Sequence, residues 1–502
     1  MDVEQFKEDV RKGRIDADRL VELVVTLARK LEQAERRIEE LEKKLGGSGT
    51  AKTAEPFSVR AEEQRQEARG KPKDKRSKPK RRGRIKTADK ARKAARTEQV
   101  FPASVPPEDC YLSHTRVVWR LENGQAVLIA YEIYRGGPKH QYGQIPGVLG
   151  RSEFGLEIVL AIAYQVFVVG LSFDKVCLLL NFFQNLRLRK SQVDSLLNRL
   201  CRYWESEFDL LCTLLANSLV VHADETSWSI NSVWAFLSEK VRVLFFGVHK
   251  DGDTLEKILN PATFAGIVIS DDAAVYANFS TAQKCWAHLL RKAIKLTLMD
   301  PENEEYRHFT DRLLEIYRAA CRVQRDKRLS DAGRERKARE LDDEILELCG
   351  PVWAAELPPG EGPANDYRLL VNELMRLMLA EELFTFVTAA PVQTPKGVAM
   401  PVGGTNNEAE RTLRSAAEAR KTGRTSKTPN GARRRTVIVS VLESLRQHLK
   451  TFTLSSVIAE VNRWAAAGQS CFAKLIKKLK LPPPPQSVLD LLFPQPSSEP
   501  PS

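Results

Sequence analysis

Three short stretches of the chain hold acids in settings that could do chemistry. In the first, Val220-Val221 leads through His222-Ala223 into Asp224-Glu225, then Thr226, Ser227 and Trp228. In the second, Ile267-Val268-Ile269 leads into Ser270-Asp271-Asp272. In the third, Thr405-Asn406-Asn407-Glu408-Ala409-Glu410-Arg411 places acids just after a helix-start signal. Runs of Val and Ile read as buried strands, so the first two acids are expected at strand tips. Thr405 or Asn406 is expected to cap the helix carrying Glu410. Together Asp224, Asp271 and Glu410 would present oxygen ligands, the donors hard divalent cations prefer. Two Mg²⁺ ions about 3.5–4 Å apart can activate a nucleophile and stabilise the leaving oxygen in phosphodiester cleavage. Asp224 would bridge both ions, Asp271 and Glu410 would each complete one, and Mn²⁺ would serve as a substitute. Each acid alone is ambiguous. An Asp after a strand commonly caps a turn, and a Glu in a first helical turn complements the macrodipole. Arg411, Arg414 and Arg420, beside Glu410, are candidates for holding phosphate.

The charge distribution points to a polyanionic partner. Of 78 Lys and Arg against 65 Asp and Glu, 15 basic and two acidic residues fall within residues 69–96, leaving the remainder balanced. Such a block favours nucleic acid, with a solvated linker or localisation tag as the plainer reading. Lys78, Lys80, Arg81, Arg82 and Arg84 form its core and would grip phosphates without reading sequence. The eight cysteines show no C-x-x-C pair, which argues against a zinc ribbon and for a reducing, cytoplasmic compartment. No signal peptide is visible. The most apolar run, residues 158–171, is too short to span a bilayer and is expected to be a buried helix.

These residues need elements to position them. Leu20, Val24, Leu27, Leu31, Ala34, Ile38, Leu41 and Leu45 follow a heptad. Branched residues at a and Leu at d predict a coiled coil over residues 1–46 and a homodimer or higher assembly. Residues 47–100 read as a disordered basic tether, and 101–151 as a small region with a strand at 127–134. Residues 152–217 are helical, with Ser152 and Ser191 as candidate N-caps. They admit either a helix-turn-helix or an ordinary three-helix bundle. Strands at 219–223, 233–237, 241–248 and 264–270, with an intervening short helix at 254–259, fit an α/β core of ribonuclease-H-like type over 218–295. A charged helical insertion follows over 296–400, and the core resumes over 401–467. The Pro-rich tail, 468–502, holds an apolar knot at 488–493, read as disordered or as a docking peptide.

The blocks together resemble the transposases of the insertion sequence 66 family, a bacterial DDE group. His222-Ala223-Asp224-Glu225-Thr226 with Trp228 is similar to that family's H-A-D-E-T-x-W block. Ser270-Asp271 with Tyr276 is similar to its S-D-G-Y-x-x-Y block. Cys285-Trp286-Ala287-His288 with Arg291 matches C-W-A-H-x-x-R. Asn406-Asn407-Glu408-Ala409-Glu410-Arg411 with Leu413-Arg414 matches N-N-x-A-E-R-x-L-R, and Arg420-Lys421 the following R-K. The resemblance covers about 150–465. It implies a ribonuclease-H-like fold, metal-dependent transposition of DNA, and a cytoplasmic, nucleoid-associated bacterial protein with element-encoded accessory proteins as further partners. It implies Asp224, Asp271 and Glu410 as the catalytic metal ligands, over Asp272 and Glu408, and adds Lys421 to the phosphate contacts. Two departures stand out. Only Cys110 remains where many members carry a cysteine zinc finger, so no zinc is expected. Asp272 and Ala273 replace the usual Gly and Tyr, which is expected to perturb the turn after the second acid. Cys285 and His288 are expected to pack the insertion against the core or to help position DNA. A DNA-binding regulator descended from a transposase, and a nuclease that cuts without joining, are the competing readings.

Overall fold

A computed structural model of the chain describes residues 86–355, 360–482 and 487–493, all within one compact unit, Arg69–Ser502. The expected coiled coil, and the basic residues Lys78, Lys80, Arg81, Arg82 and Arg84, lie outside the described residues.

The chain is a mixed α/β protein. A short helix, α1 (Thr87–Ala91), precedes β1 (Arg96–Val100), β2 (Cys110–Glu122), β3 (Gln125–Gly136) and β4 (Gln141–Tyr142). β2 and β3 form an antiparallel hairpin, with β1 parallel on the far side of β3. The hairpin turns at Asn123-Gly124, both at positive φ, the backbone that two-residue hairpin loops require. The strand expected at 127–134 is therefore one arm of a longer pair. The end of the expected tether is folded, because Arg96–Val100 pairs with Ile129–Ile133 of β3.

Three helices follow: α2 (Leu156–Phe167), α3 (Phe173–Gln184) and α4 (Lys190–Ala216). Ser152 does not cap α2. Its hydroxyl accepts from Phe154 N in the preceding turn, and Gly155 holds the cap position. Ser172 caps α3 by accepting from Lys175 N. Ser191 lies inside the first turn of α4, where the Gln192 side chain accepts from Arg189 N instead. α4 is apolar along its length, with Val193, Leu197, Leu200, Trp204, Phe208 and Leu211 buried.

The central sheet comprises β5 (Val220–Ser227), β6 (Ser232–Ser238), β7 (Arg242–Val248), β8 (Ile267–Ser270) and β9 (Ala282–Lys284), with α5 (Gly252–Ile258) between β7 and β8. Its order is β7-β6-β5-β8-β9. The first three strands run antiparallel, and β8 and β9 run parallel to β5. After α6 (Trp286–Met299) come α7 (Glu304–Arg325), α8 (Asp331–Ala354), α9 (Pro363–Leu379) and α10 (Thr385–Thr388). They bury Leu313, Ile316, Ile345 and Leu374 in a core of their own that joins the sheet at Trp286 and Ile269. A small hairpin, β10 (Val392–Gln393) and β11 (Ala399–Met400), leads to α11 (Asn407–Lys421) and α12 (Pro429–His448). The described chain closes with α13 (Leu454–Ala467), α14 (Cys471–Leu479) and α15 (Val488–Leu492). The knot at 488–493 is not disordered: Leu489 and Phe493 are buried in the main core, and Ser487 donates to Asp209 of α4. Among the described residues no helix is long and apolar enough to cross a membrane.

β7 is an edge strand, and α12 closes it. Thr436, Ser440 and Ser444, one helical turn apart, place hydroxyls against alternate residues of β7. Phe246 N donates to Thr436 Oγ1 at 2.9 Å, Leu244 N to Ser440 Oγ at 2.9 Å and Arg242 N to Ser444 Oγ at 3.1 Å. Ser440 and Ser444 donate back to the carbonyls of Leu244 and Arg242. The match is geometric: four helical residues rise about 6 Å and two strand residues about 6.8 Å. Where the row continues, a side chain at Gly247 would strike Ala432, with a Cβ contact of 2.8 Å. Ser440→Ala would strand the amide and carbonyl of Leu244, and each buried unpaired group costs about 1–3 kcal/mol. The variant is expected to unfold at lower temperature and lower denaturant concentration than the parent, with the same folded circular dichroism.

Candidate active site

β5 and β8 position two acids by register. Their parallel pairing runs from Val220↔Ile267 to His222↔Ile269. Asp224 and Asp271 each lie two residues beyond that last pair, so they emerge side by side where the strands part. Asp224 is not at a strand tip as expected. β5 continues to Ser227 because its other edge stays paired with β6, Asp224 opposite Ala235. Asp271 does follow the end of β8, and its Oδ1 accepts from Ala273 N at 3.1 Å, which fixes the turn. Asp272 pairs with Arg376 of α9, so its side chain is drawn to the helical insertion and the turn tolerates it.

α11 delivers Glu410. The helix is fastened by Asn406, fully buried at its N-cap. Asn406 does not cap with its side chain. Its Nδ2 donates to Ala223 O at 2.7 Å, and its backbone N to Cys285 Sγ at 3.1 Å. Trp286 N donates to Gly404 O at 3.0 Å. The start of α11 is thus tied to β5 one residue before Asp224, and to the start of α6. Glu408 pairs with Arg242 of β7. Glu410 accepts from Arg291 of α6 at 2.5 Å and has His288 Nδ1 at 3.6 Å.

The acids act on one another. The Asp224 carboxyl is pushed up to about 7, first by burial, then by Glu225, and further by Asp271 and Glu410, while the Glu225 N–H donated to Asp224 opposes the shift. Glu408 is not among those charges. Glu225 is itself nearly buried and neutralised by Lys250 at 2.6 Å and by the Tyr276 hydroxyl. The Lys250 ammonium is raised chiefly by Glu225, with smaller help from Asp271 and Asp224. His288 is lowered by burial and by Arg291, against the pull of Glu410.

Among the described residues, the group whose potential ligand atoms all lie within 4.8 Å of one another is Cys285, His288 and Glu410. The three acids Asp224, Asp271 and Glu410 are spread more widely. Cys285 Sγ is engaged by Asn406 N, burial raises its thiol, and Arg291 holds Glu410. This group therefore acts as a joint between α6 and α11. Of the expected phosphate contacts, Arg411, Arg414, Arg420 and Lys421 are all exposed on α11, and Arg420 donates to Ser227 O at 2.9 Å. Trp228 is core: it packs on Phe246 and under the Arg435 guanidinium. Glu225, Tyr276 and Arg291 stood inside the sequence blocks without a role of their own, and Asn406 stood there only as a candidate cap. Lys250 had no signal in the sequence, since an isolated Lys after a strand is ordinary.

In this mixed α/β domain two neighbouring strands and one helix bring Asp224, Asp271 and Glu410 near enough for the charges of the last two to act on the first. The family model described as Transposase IS66 family matches residues 151–434, more than half of the chain, and the chain belongs to that family. Among curated proteins no match was found.

The raised Asp224 carboxyl sets a pH dependence. An acid whose folded-state pKa lies above its unfolded value stabilises the fold below the unfolded pKa. That contribution is lost as pH rises from 3.8 towards about 7. Without divalent ions, Asp224→Asn is expected to be more stable than the parent at pH 8, by at most about 4 kcal/mol in denaturant unfolding, and to match it near pH 4. Added Mn²⁺ is expected to raise the melting temperature of the parent and not of the variant.

Proposed function

We propose that the chain is a DDE-type DNA transposase that cuts transposon ends and joins them to target DNA. The observation that carries this reading is the electrostatic convergence of Asp224, Asp271 and Glu410 in a member of a transposase family. The strand order, three antiparallel strands followed by two parallel ones, supports a ribonuclease-H-like core.

The donor set fits Mg²⁺ or Mn²⁺. It offers carboxylate oxygens, and the Asp224 carboxyl is held up to about 7 by burial and neighbouring negative charge that a divalent cation would relieve. Asp224, Asp271 and Glu410 would hold the ions; zinc is not part of the assignment. When bound, such a pair supplies an activated water or 3′-hydroxyl and stabilises the leaving oxygen. The chain's own residues prepare the site. The Lys250–Glu225–Tyr276 group screens the aspartates from one side. Arg291 holds Glu410, with His288 beside it. Arg411, Arg414, Arg420 and Lys421, exposed on α11, offer contacts for the DNA backbone in addition to those of the basic segment at 69–96. The heptad at 1–46 would pair two chains, as two DNA ends require, in a nucleoid-associated protein with room for element-encoded accessory proteins.

A second reading, a DNA-binding regulator without catalysis, draws on the Arg291–Glu410 pair, which engages the third acid elsewhere. Mg²⁺-dependent cleavage of the DNA ends flanking this chain's gene separates the two. Asp224→Ala, Asp271→Ala and Glu410→Ala are each expected to lower cleavage by at least about a thousandfold, the scale of losing an electrostatic contact to the transition state, with DNA binding retained. Cleavage that persists in Glu410→Ala would remove Glu410 from the assignment. A folded, DNA-binding parent that never cuts would favour the regulator. Pre-cut ends that are not joined to target would mark a nuclease.

A further inference from the structure

A cavity of about 390 Å³ opens beside the acids. Its relation to Asp224 is set by spacing on β5: His222 lines it, two residues before Asp224 and on the same face of the strand. Glu408 of α11 also lines it, on the other side of that helix from Glu410. Two residues along a strand span about 6.7 Å, comparable with the span of one nucleotide. The cavity therefore sits about one nucleotide away from the position a phosphate would take at Asp224.

Its lining is of two kinds. The walls are aliphatic, from β5, β6 and the β10–β11 hairpin, with Met400 at the outer edge. Set among them, Gln447 Oε1 is buried with no hydrogen-bond partner among the described residues, while His222 has the Asn406 side chain beside it. Buried polar atoms are ordinarily paired, so Gln447 Oε1 marks a place for a ligand with a hydrogen-bonding edge. Arg242, Lys396 and Arg446 also line the space, together with Glu239 and with Glu408, the partner of Arg242. Apolar walls, an unmet amide oxygen and a lining with more cations than carboxylates match a flat heteroaromatic base with a phosphate attached. A duplex is too wide to enter, so the base must be unstacked.

We propose that this cavity is a nucleotide subsite that takes one unstacked nucleotide of the DNA strand, next to the phosphate held at Asp224. The proposal rests on the reading of the chain as an enzyme acting on DNA. The β10–β11 hairpin is its outer wall. Because that wall is exposed at Lys396, Val398 and Met400, the site can be altered there without disturbing the core.

The test uses the full chain and a duplex with the terminal sequence flanking its own gene, carrying 2-aminopurine at successive positions around the cut, with Ca²⁺ in place of Mg²⁺. Unstacking brightens this base. The expected result is a rise in fluorescence at one position adjoining the cut. The rise is expected to vanish in Lys396→Glu/Met400→Asp, while anisotropy reports unchanged duplex binding. Cleavage in Mg²⁺ by that variant is expected to fall about tenfold, the weight of one stacked base. A rise that survives in the variant would place the unstacked nucleotide elsewhere and overturn the subsite. Duplex that is bound and cut with no rise at any position would overturn the subsite and leave the catalytic reading standing. Duplex neither bound nor cut would overturn both.

Discussion

The site depends on one buried asparagine. Glu410 is separated from Asp224 by 186 residues, most of them in the remaining strands and the helical insertion. Asn406 closes that gap with two bonds, one to the carbonyl of Ala223 and one to the sulfur of Cys285. A carbonyl inside a strand is normally spoken for by its neighbours. Here β8 ends where β5 continues, leaving that edge of β5 free to receive a side chain. The same gap lets Asp224 and Asp271 face one opening. Register, strand length and the asparagine are thus one device, and the third carboxylate follows as the next helical turn.

Bringing acids together raises their energy, and the surroundings are built around that. Burial and like charge push Asp224 up to about 7. Glu225, the neighbour that contributes most among the charges, is itself offset by Lys250 and Tyr276. On the far side Arg291 takes up Glu410. In this state the protein balances its acids with its own cations, which explains why the three carboxylates do not close tightly. Exchange of Arg291 for a divalent ion would need only a side-chain swing, since the helix is already fastened. The rigid part of this arrangement is the backbone, which Thr436, Ser440 and Ser444 support from behind by closing the edge of β7.

Much of this was legible in the sequence, and the misses have physical causes. The apolar runs at 233–237 and 241–248 read directly as a meander because both faces of β6 and most of β7 are buried. The strand at 219–223 was cut short at Asp224, because polar residues end an apolar run even when one edge stays hydrogen-bonded. Ser152 and Ser191, the expected caps, do not cap, and Ser172, not singled out, does: a capping hydroxyl is recognisable, but which residue begins the helix is decided by packing. The tail segment at 488–493 looked like an isolated knot, and only the groove beside α4 gives it a place. The acids themselves were visible from type and spacing. Their supports were less so. Asn406 looked like a helix cap and serves as a cross-link, and Lys250 resembled any surface lysine until Glu225 stood beside it.

The central claim is that these carboxylates form a cation site. The direct measurement is the anomalous scattering of Mn²⁺ soaked into crystals of the full chain. A peak is expected in contact with both Asp224 and Asp271, with Glu410 turned from Arg291 towards it, and it is expected to be lost in Asp224→Asn. A peak bound by Cys285 and His288 with neither aspartate in contact, or none at saturating Mn²⁺, would contradict that claim.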